Sequence, residues 1–253
     1  MAVYTKLSEN KLKEFFSKYN LGKVLNFSGI KEGIENTNYF VQTDKNKFIL
    51  TMYEKRVGEK DLPFFMGLMK NLVIANFPSP EPIINVNGNY IGEILGKKAA
   101  VVSFLNGVAK KNLTPRNCYD VGIKAATLHT ITKNLALTRK NQLSVRYWRK
   151  IFQNVKKDCS KIDKNLPSVI EKNLDKIESD WPKNIPSGII HADLFPDNIL
   201  FKNNRLTGII DFYFSCNDFY AFEIAICLNA LCFEGVNENL SFNVTKAKKF
   251  IDG

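Results

Sequence analysis

From Ser8 onward the chain switches between two hydrophobic rhythms. Ser8 stands where a helix cap belongs, and Leu12, Phe15, Phe16 and Tyr19 follow at the i, i+3, i+4, i+7 spacing of one helical face. The rhythm then shortens, and strands are predicted over 24–28, 39–43 and 48–53, the last two joined by the polar turn Asp44-Lys45-Asn46. A helix follows over 62–77, with Pro63 in its first turn and a stop at Pro78 and Pro80. Strands over 90–95, after the Asn87-Gly88 turn, and over 98–104 complete a mostly antiparallel sheet with a helix or two.

Past Asn106-Gly107 the pattern turns helical. Thr114 caps and Pro115 begins a helix with Cys118, Val121, Ala125 and Leu128 on one face. Ser144 begins a second, with Trp148, Ile151, Phe152 and Val155 on its apolar side, and a third runs over 167–179. Short strands at 189–190, 199–201 and 206–210 precede a nearly all-apolar helix over 220–233, which should be buried. The pattern predicts an α+β protein of two lobes: a β-rich lobe over 1–105, and a mainly helical lobe over 106–253 that carries a β-hairpin. A ligand belongs in the cleft between them.

Composition narrows the class. Hydrophobic residues at 45% and charged residues at 24% are ordinary for a packed protein and exclude a disordered chain. No apolar run reaches the length of a membrane span, and the start MAVYTKLSEN lacks a signal-peptide pattern, so the expectation is a cytoplasmic protein with no membrane partner. The five cysteines form no C-x-x-C pair and only two histidines are present, which leaves buried thiols and no zinc site. A net charge of +11 raises the question of nucleic acid. The lysines are scattered among acids, as in EKRVGEKD, so no nucleic-acid partner is expected. The positive balance suits an anionic small molecule such as a nucleotide instead.

The chemistry concentrates in GIIHADLFPDNILF, residues 188–201. His191, Asp193 and Asn198 have the H-x-D-x-x-x-x-N spacing of a kinase catalytic loop, in which the aspartate takes a hydroxyl proton and the asparagine holds magnesium. Thirteen residues on, at a strand end, Asp211-Phe212 occupies the place of a magnesium-binding D-F-G, with Tyr213 where glycine would stand. Phosphoryl transfer needs a base aimed at the nucleophile and hard oxygen ligands for Mg²⁺. A strand–turn–strand unit can bring Asn198 and Asp211 to one cation, with Asp193 beside it. His191 reads as a brace for the loop, Asp197 as a turn or cap residue, and His129 as a structural histidine.

Six strings carry a family resemblance: GIENTNYFVQT (33–43), FILTMYEKR (48–56), DLPFFMGLMKNL (61–72), AAVVSFLNG (99–107), HADLFPDNILF (191–201) and GIIDFYFSCNDFYAFEIAIC (208–227). In order, and over nearly the whole chain, the sequence resembles the aminoglycoside phosphotransferase-like superfamily, whose fold is protein-kinase-like, and within it the type II homoserine kinases. The resemblance implies an ATP- and Mg²⁺-dependent kinase that phosphorylates the side-chain hydroxyl of L-homoserine on the route to threonine. The alternatives are a kinase for an aminoglycoside, choline or another amino alcohol, and a nucleotide-binding pseudokinase. Asp193 would be the base, and Asn198 and Asp211 the metal ligands. Gly29, Gly33 and Asn38 would lie over the ATP phosphates. Thr51 and Leu200 would also meet the nucleotide, and Ser103, Phe104 and Leu105 would be the hinge that pairs with adenine. Asp218 and Arg146 are candidates for the homoserine pocket.

The sequence departs from that pattern in three places. The loop from Ser28 to Gly33 holds two glycines and is not G-x-G-x-x-G. Thr51 stands where a phosphate-pairing lysine is usual, so Lys31, Lys55 or Arg56 would have to substitute, and Glu59 reads as a surface acid rather than an ion-pair partner. The family also continues by several helices, so the chain is expected to stop short at Gly253 and to leave the 220–233 helix partly uncovered.

Overall fold

The computed structural model describes residues 4–33, 35–54, 57–235 and 239–253. Helix α1 (Glu9–Phe16) starts at Ser8, whose hydroxyl accepts from the Lys11 N–H, and buries Leu12, Phe15 and Phe16. Strands β1 (Val24–Ile30), β2 (Thr37–Thr43) and β3 (Lys47–Met52) follow, then helix α2 (Leu62–Ile74), β4 (Ile91–Ile94) and β5 (Lys97–Ser103). The five strands form one antiparallel sheet in the order β1-β2-β3-β5-β4.

Strict alternation gives this sheet two working faces. Tyr39, Val41, Leu50, Met52, Ala99 and Val101 pack under α1 in one apolar cluster. Ala100 and Val102, with Ile49 beside them, join a second cluster with α2 and the remainder of the chain. Helix α2 ends earlier than its prolines predict. Asn76 takes φ +58° and the Phe77 N–H closes on the Leu72 carbonyl at 2.9 Å, so a left-handed asparagine stops the helix before Pro78.

The second lobe comprises β6 (Val108–Ala109), α3 (Pro115–Thr132), α4 (Val145–Ile162), α5 (Leu166–Asp180), β7 (Ser187–Ile190), β8 (Ile199–Lys202), β9 (Arg205–Ile209), β10 (Cys216–Phe219), α6 (Tyr220–Cys232), β11 (Phe233–Glu234), β12 (Ser241–Phe242) and α7 (Val244–Asp252). Thr114 and Asn117 build the capping box that opens α3. The hairpin β8–β9 gains β6 as a third strand, and β7 pairs antiparallel with β10. The sequence pattern contains β8 and β9 but not β6, β10 or α7.

Two helices depart from their predicted burial. Helix α4 buries only Phe152, while Ile151 and Val155 are each 44% exposed, because α4 packs chiefly on α5. Helix α6 is buried along Glu223, Cys227, Leu231 and Cys232, whereas Ala221, Ala225 and Asn229 face outward. The expectation of full burial for the 220–233 helix is therefore corrected: α3, α7 and the β7–β10 pair cover one side of it. Among the described residues, no helix is long and apolar enough to cross a membrane.

Candidate active site

The loop between β7 and β8 is held from behind by one carboxylate. Glu223, fully buried in α6, accepts the His191 N–H at 2.7 Å through Oε2 and the Ala192 N–H at 2.8 Å through Oε1. His129 Nε2 lies 3.2 Å from the same Oε2, and its ring stacks on Tyr220 at 4.2 Å. A buried carboxylate is costly unless its oxygens are filled, and here backbone and imidazole groups fill them. Ala192 can then hold a left-handed φ of +64°.

His191 is completely buried. Its Nε2 donates to the Ile210 carbonyl at 3.0 Å, and its Nδ1 accepts from the Asp193 N–H at 3.2 Å. Those two bonds select the neutral ring with hydrogen on Nε2. Burial holds its pKa below the usual histidine value, against the opposing pull of Glu223 and the Ile210 carbonyl. The ring thus ties the loop to the end of β9 and carries no proton in or out.

Asn198 completes the loop. Its Nδ2 donates to both the backbone carbonyl and Oδ2 of Asp193, each at 2.8 Å, which fixes the aspartate's rotamer and spends the amide's hydrogens. The Asn198 side-chain oxygen therefore points away from Asp193 as a free donor. Its backbone carbonyl accepts the Ile210 N–H at 3.0 Å, so residues 198 and 211 stand at adjacent positions of the hairpin. Asp211 takes φ +63° and ψ +57°. Burial raises its carboxyl pKa to about 6; the Tyr213 N–H opposes this, and the charges of Asp197 and Glu35 add to it.

A carboxylate crowded by two further acids and an amide oxygen with its hydrogens turned away form a set of hard oxygen donors that suits Mg²⁺. Among the described residues no cluster of three His, Cys, Asp or Glu side chains suits a metal on its own.

The other sequence candidates fall around this centre. Gly29 lies on β1 opposite Tyr39, and Gly33 occupies the exposed turn after it with φ +92°. Asn38 and Thr51 face each other across β2 and β3, and the Thr51 hydroxyl donates to Asn38 Oδ1 at 2.8 Å. Thr51 is buried, and Lys47, four residues earlier on the same face of β3, is exposed at the start of the strand. Lys31 is exposed in the turn, and Lys55 and Arg56 lie outside the described residues. Glu59 is a surface acid 4.0 Å from Lys98.

At the hinge, the Ser103 N–H is committed to the Glu81 carbonyl and the Phe104 N–H to the Lys47 carbonyl. Leu105 and Leu200 close over Gly208, where an added Cβ would sit 2.9 Å and 3.3 Å from their methyl carbons. Phe104 stacks edge-on against Phe40 at 5.3 Å. The hinge is tied directly to the hairpin, since Thr207 Oγ1 donates to the Asn106 carbonyl at 2.7 Å.

A cavity of about 150 Å³ opens beside Asp211 and Ala192, between the lobes. Glu35, Asn36 and Val57 form its upper wall, and Arg139, Leu143 and Phe222 its lower one. Of the acceptor-pocket candidates, Arg146 donates to Ser144 Oγ, and Asp218 accepts from Asn141 and from the Phe219 N–H; neither is among the described residues that line this cavity. Among the described residues, the basic one that lines it is Arg139. Sequence reasoning missed it and Glu223. An acid inside an otherwise apolar helix was the available signal for Glu223, whereas Arg139 lies in a stretch without periodicity.

The family model described as the phosphotransferase enzyme family matches residues 26–240. The chain belongs to this family. The phosphotransferase is 44% identical over 259 residues to the homoserine kinase of Paramagnetospirillum magneticum and 46% identical over 253 residues to that of Beijerinckia indica subsp. indica. Each match covers all of this chain and 78% of the relative. Among solved structures, a spectinomycin phosphotransferase in complex with ADP and spectinomycin matches with a TM-score of 0.68 at 14% identity, covering 97% of this phosphotransferase and 84% of its own chain. A macrolide 2′-phosphotransferase from Brachybacterium faecium gives 0.65 at 12% identity, covering 96% and 82%. These likenesses establish the two-lobed, protein-kinase-like fold.

Proposed function

We propose that the phosphotransferase moves the γ-phosphate of ATP to the side-chain hydroxyl of L-homoserine, giving ADP and O-phospho-L-homoserine on the route to threonine. The observation that carries the acceptor is the identity of 43–46% to homoserine kinases over essentially the whole chain. The loop geometry supports the reaction type. The hydroxyl oxygen attacks the γ-phosphorus, the bond to the β-γ bridging oxygen breaks, and the hydroxyl proton passes to the Asp193 carboxylate. Asn198 directs that carboxylate, and His191 and Glu223 fix the backbone that bears it. Asn198 and Asp211 would hold Mg²⁺, which when bound supplies positive charge to the phosphate oxygens. Gly29 and Gly33 would lie over the phosphates, with the Asn38–Thr51 pair beneath. The Leu105 N–H and the hinge carbonyls would meet adenine, because the Ser103 and Phe104 N–H groups are already spent, with Leu105 and Leu200 as the apolar floor.

One observation favours a second reading, a protein that binds nucleotide without transferring phosphate: Thr51 brings no charge to the phosphates, and its hydroxyl is tied to Asn38. Coupled ADP release, measured with L-homoserine, choline, an aminoglycoside and no acceptor, separates the cases. Homoserine should stimulate release at least tenfold over the others. Equal stimulation by choline or the aminoglycoside removes the homoserine assignment, and ATP binding with no release leaves the second reading.

A further inference from the structure

Arg139 has five N–H groups, and the fold uses three. Nε donates to Asp61 Oδ2 at 2.7 Å, while Nη1 donates to the carbonyls of Phe214 at 3.3 Å and Ser215 at 3.0 Å. The guanidinium lies over the Phe65 ring at 4.9 Å, which sets its plane. The side chain is only 12% exposed, and the two hydrogens of Nη2 have no partner among the described residues. Arg139 is also the one basic residue among the described lining of the cavity, which otherwise presents two acids, Glu35 and Asp211, and mostly apolar or amide side chains.

A guanidinium held through Nε and Nη1, with Nη2 left over and the side chain lining a small cavity, can donate to an anionic oxygen there. Two bound groups could supply that oxygen, the carboxylate of an acceptor or the phosphates of the nucleotide. Glu35, which also lines the cavity, would complement an ammonium group, which an amino-acid acceptor carries and a nucleotide's phosphates lack. The volume of about 150 Å³ accommodates a single small amino acid. We infer that Arg139 is the carboxylate anchor of the acceptor pocket, so that the pocket selects a small amino-acid alcohol over an amino alcohol without a carboxylate. This inference rests on the homoserine reading and assigns a residue to its specificity. An arginine used only as a brace between Asp61 and the 214–215 backbone would affect every acceptor equally.

The test compares L-homoserine with L-homoserine amide, which keeps the hydroxyl and ammonium groups and replaces the carboxylate with a neutral amide. kcat/KM is measured for both in the wild type, Arg139→Gln and Arg139→Lys, with KM for ATP alongside and thermal melts to confirm folding. The wild type should prefer the acid by about tenfold to a hundredfold, the range for hydrogen bonds to a charged group. Arg139→Gln should bring that ratio to within about threefold of unity, and Arg139→Lys should recover part of it, because the charge returns without the braced planar group. A ratio that survives in Arg139→Gln overturns the inference, whether kcat falls for both acceptors or KM rises for ATP alone. A wild type that accepts the amide as readily as the acid overturns it too. A wild type inert towards homoserine removes the proposed acceptor, and the inference with it, and so is distinct from an active enzyme whose selectivity ignores Arg139.

Discussion

Ala192 and Asp211 flank the 193–198 loop and β8–β9 hairpin, and both hold left-handed backbone angles, φ +64° and +63°. Such angles cost a non-glycine residue on the order of 1 kcal/mol each and persist where neighbouring bonds over-determine them. Glu223 does this for Ala192 by accepting two consecutive N–H groups, and the His191–Ile210 bond links that turn to the residue before Asp211. Glu223→Gln replaces one accepting oxygen with an amide that cannot receive an N–H, and it removes the charge facing His129. The expected result is a fall in kcat of about tenfold to a hundredfold, of the order seen when a supporting partner is lost, with KM for ATP within about threefold of the wild type. Steady-state kinetics with the two substrates varied separately would show it, and an unchanged kcat would make Glu223 a packing residue only. His191, Asp193, Asn198 and Asp211 were legible in the sequence because a fixed spacing between apolar strands carries them. The placement of Glu223 and Arg139 was not, because their contacts join chain segments 31 and 78 positions apart.

Among the elements, those with a long hydrophobic period were legible and the short ones were not. Helix α1 and its Ser8 cap, the five-stranded sheet and the β8–β9 hairpin all follow from spacing. Strands β6 and β10, of two and four residues, have too few positions to display a period, yet each docks beside the catalytic loop. Helix α4 shows the opposite error: its apolar stripe is regular, but one neighbouring helix cannot cover it. The contact between α3 and α7 depends on a glycine no pattern would single out. A Cβ on Gly122 would sit 2.1 Å from the Phe250 carbonyl oxygen. Gly122→Ala gains helix propensity in α3, but displacing α7 outweighs it, since overpacking typically costs about 1–3 kcal/mol. Thermal unfolding should show a Tm lowered by several degrees; a Tm equal to or above the wild type would mean that α7 shifts at no cost.

At the scale of the molecule, the sheet divides the interior. One cluster seals α1 to the outer face, and the other runs from α2 and β5 through α3 and the hairpin to α6 and α7. The loop, the hinge and the cavity therefore sit on a single packed body, which keeps Asp193, Asn198 and Asp211 in fixed relation. The net charge of +11 suits a polyanionic nucleotide, and on the proposed reading a divalent cation would seat its phosphates beside Asp211. The central claim is that these three side chains act together on an acceptor alcohol, and ³¹P NMR tests it most directly. With ATP, Mg²⁺ and L-homoserine, the wild type should consume the γ-phosphate signal and produce a phosphomonoester signal that is absent without homoserine. Asp193→Asn should produce it at least about a hundredfold more slowly. A wild type that yields no phosphomonoester, or an Asp193→Asn variant that yields it at the wild-type rate, would contradict the account.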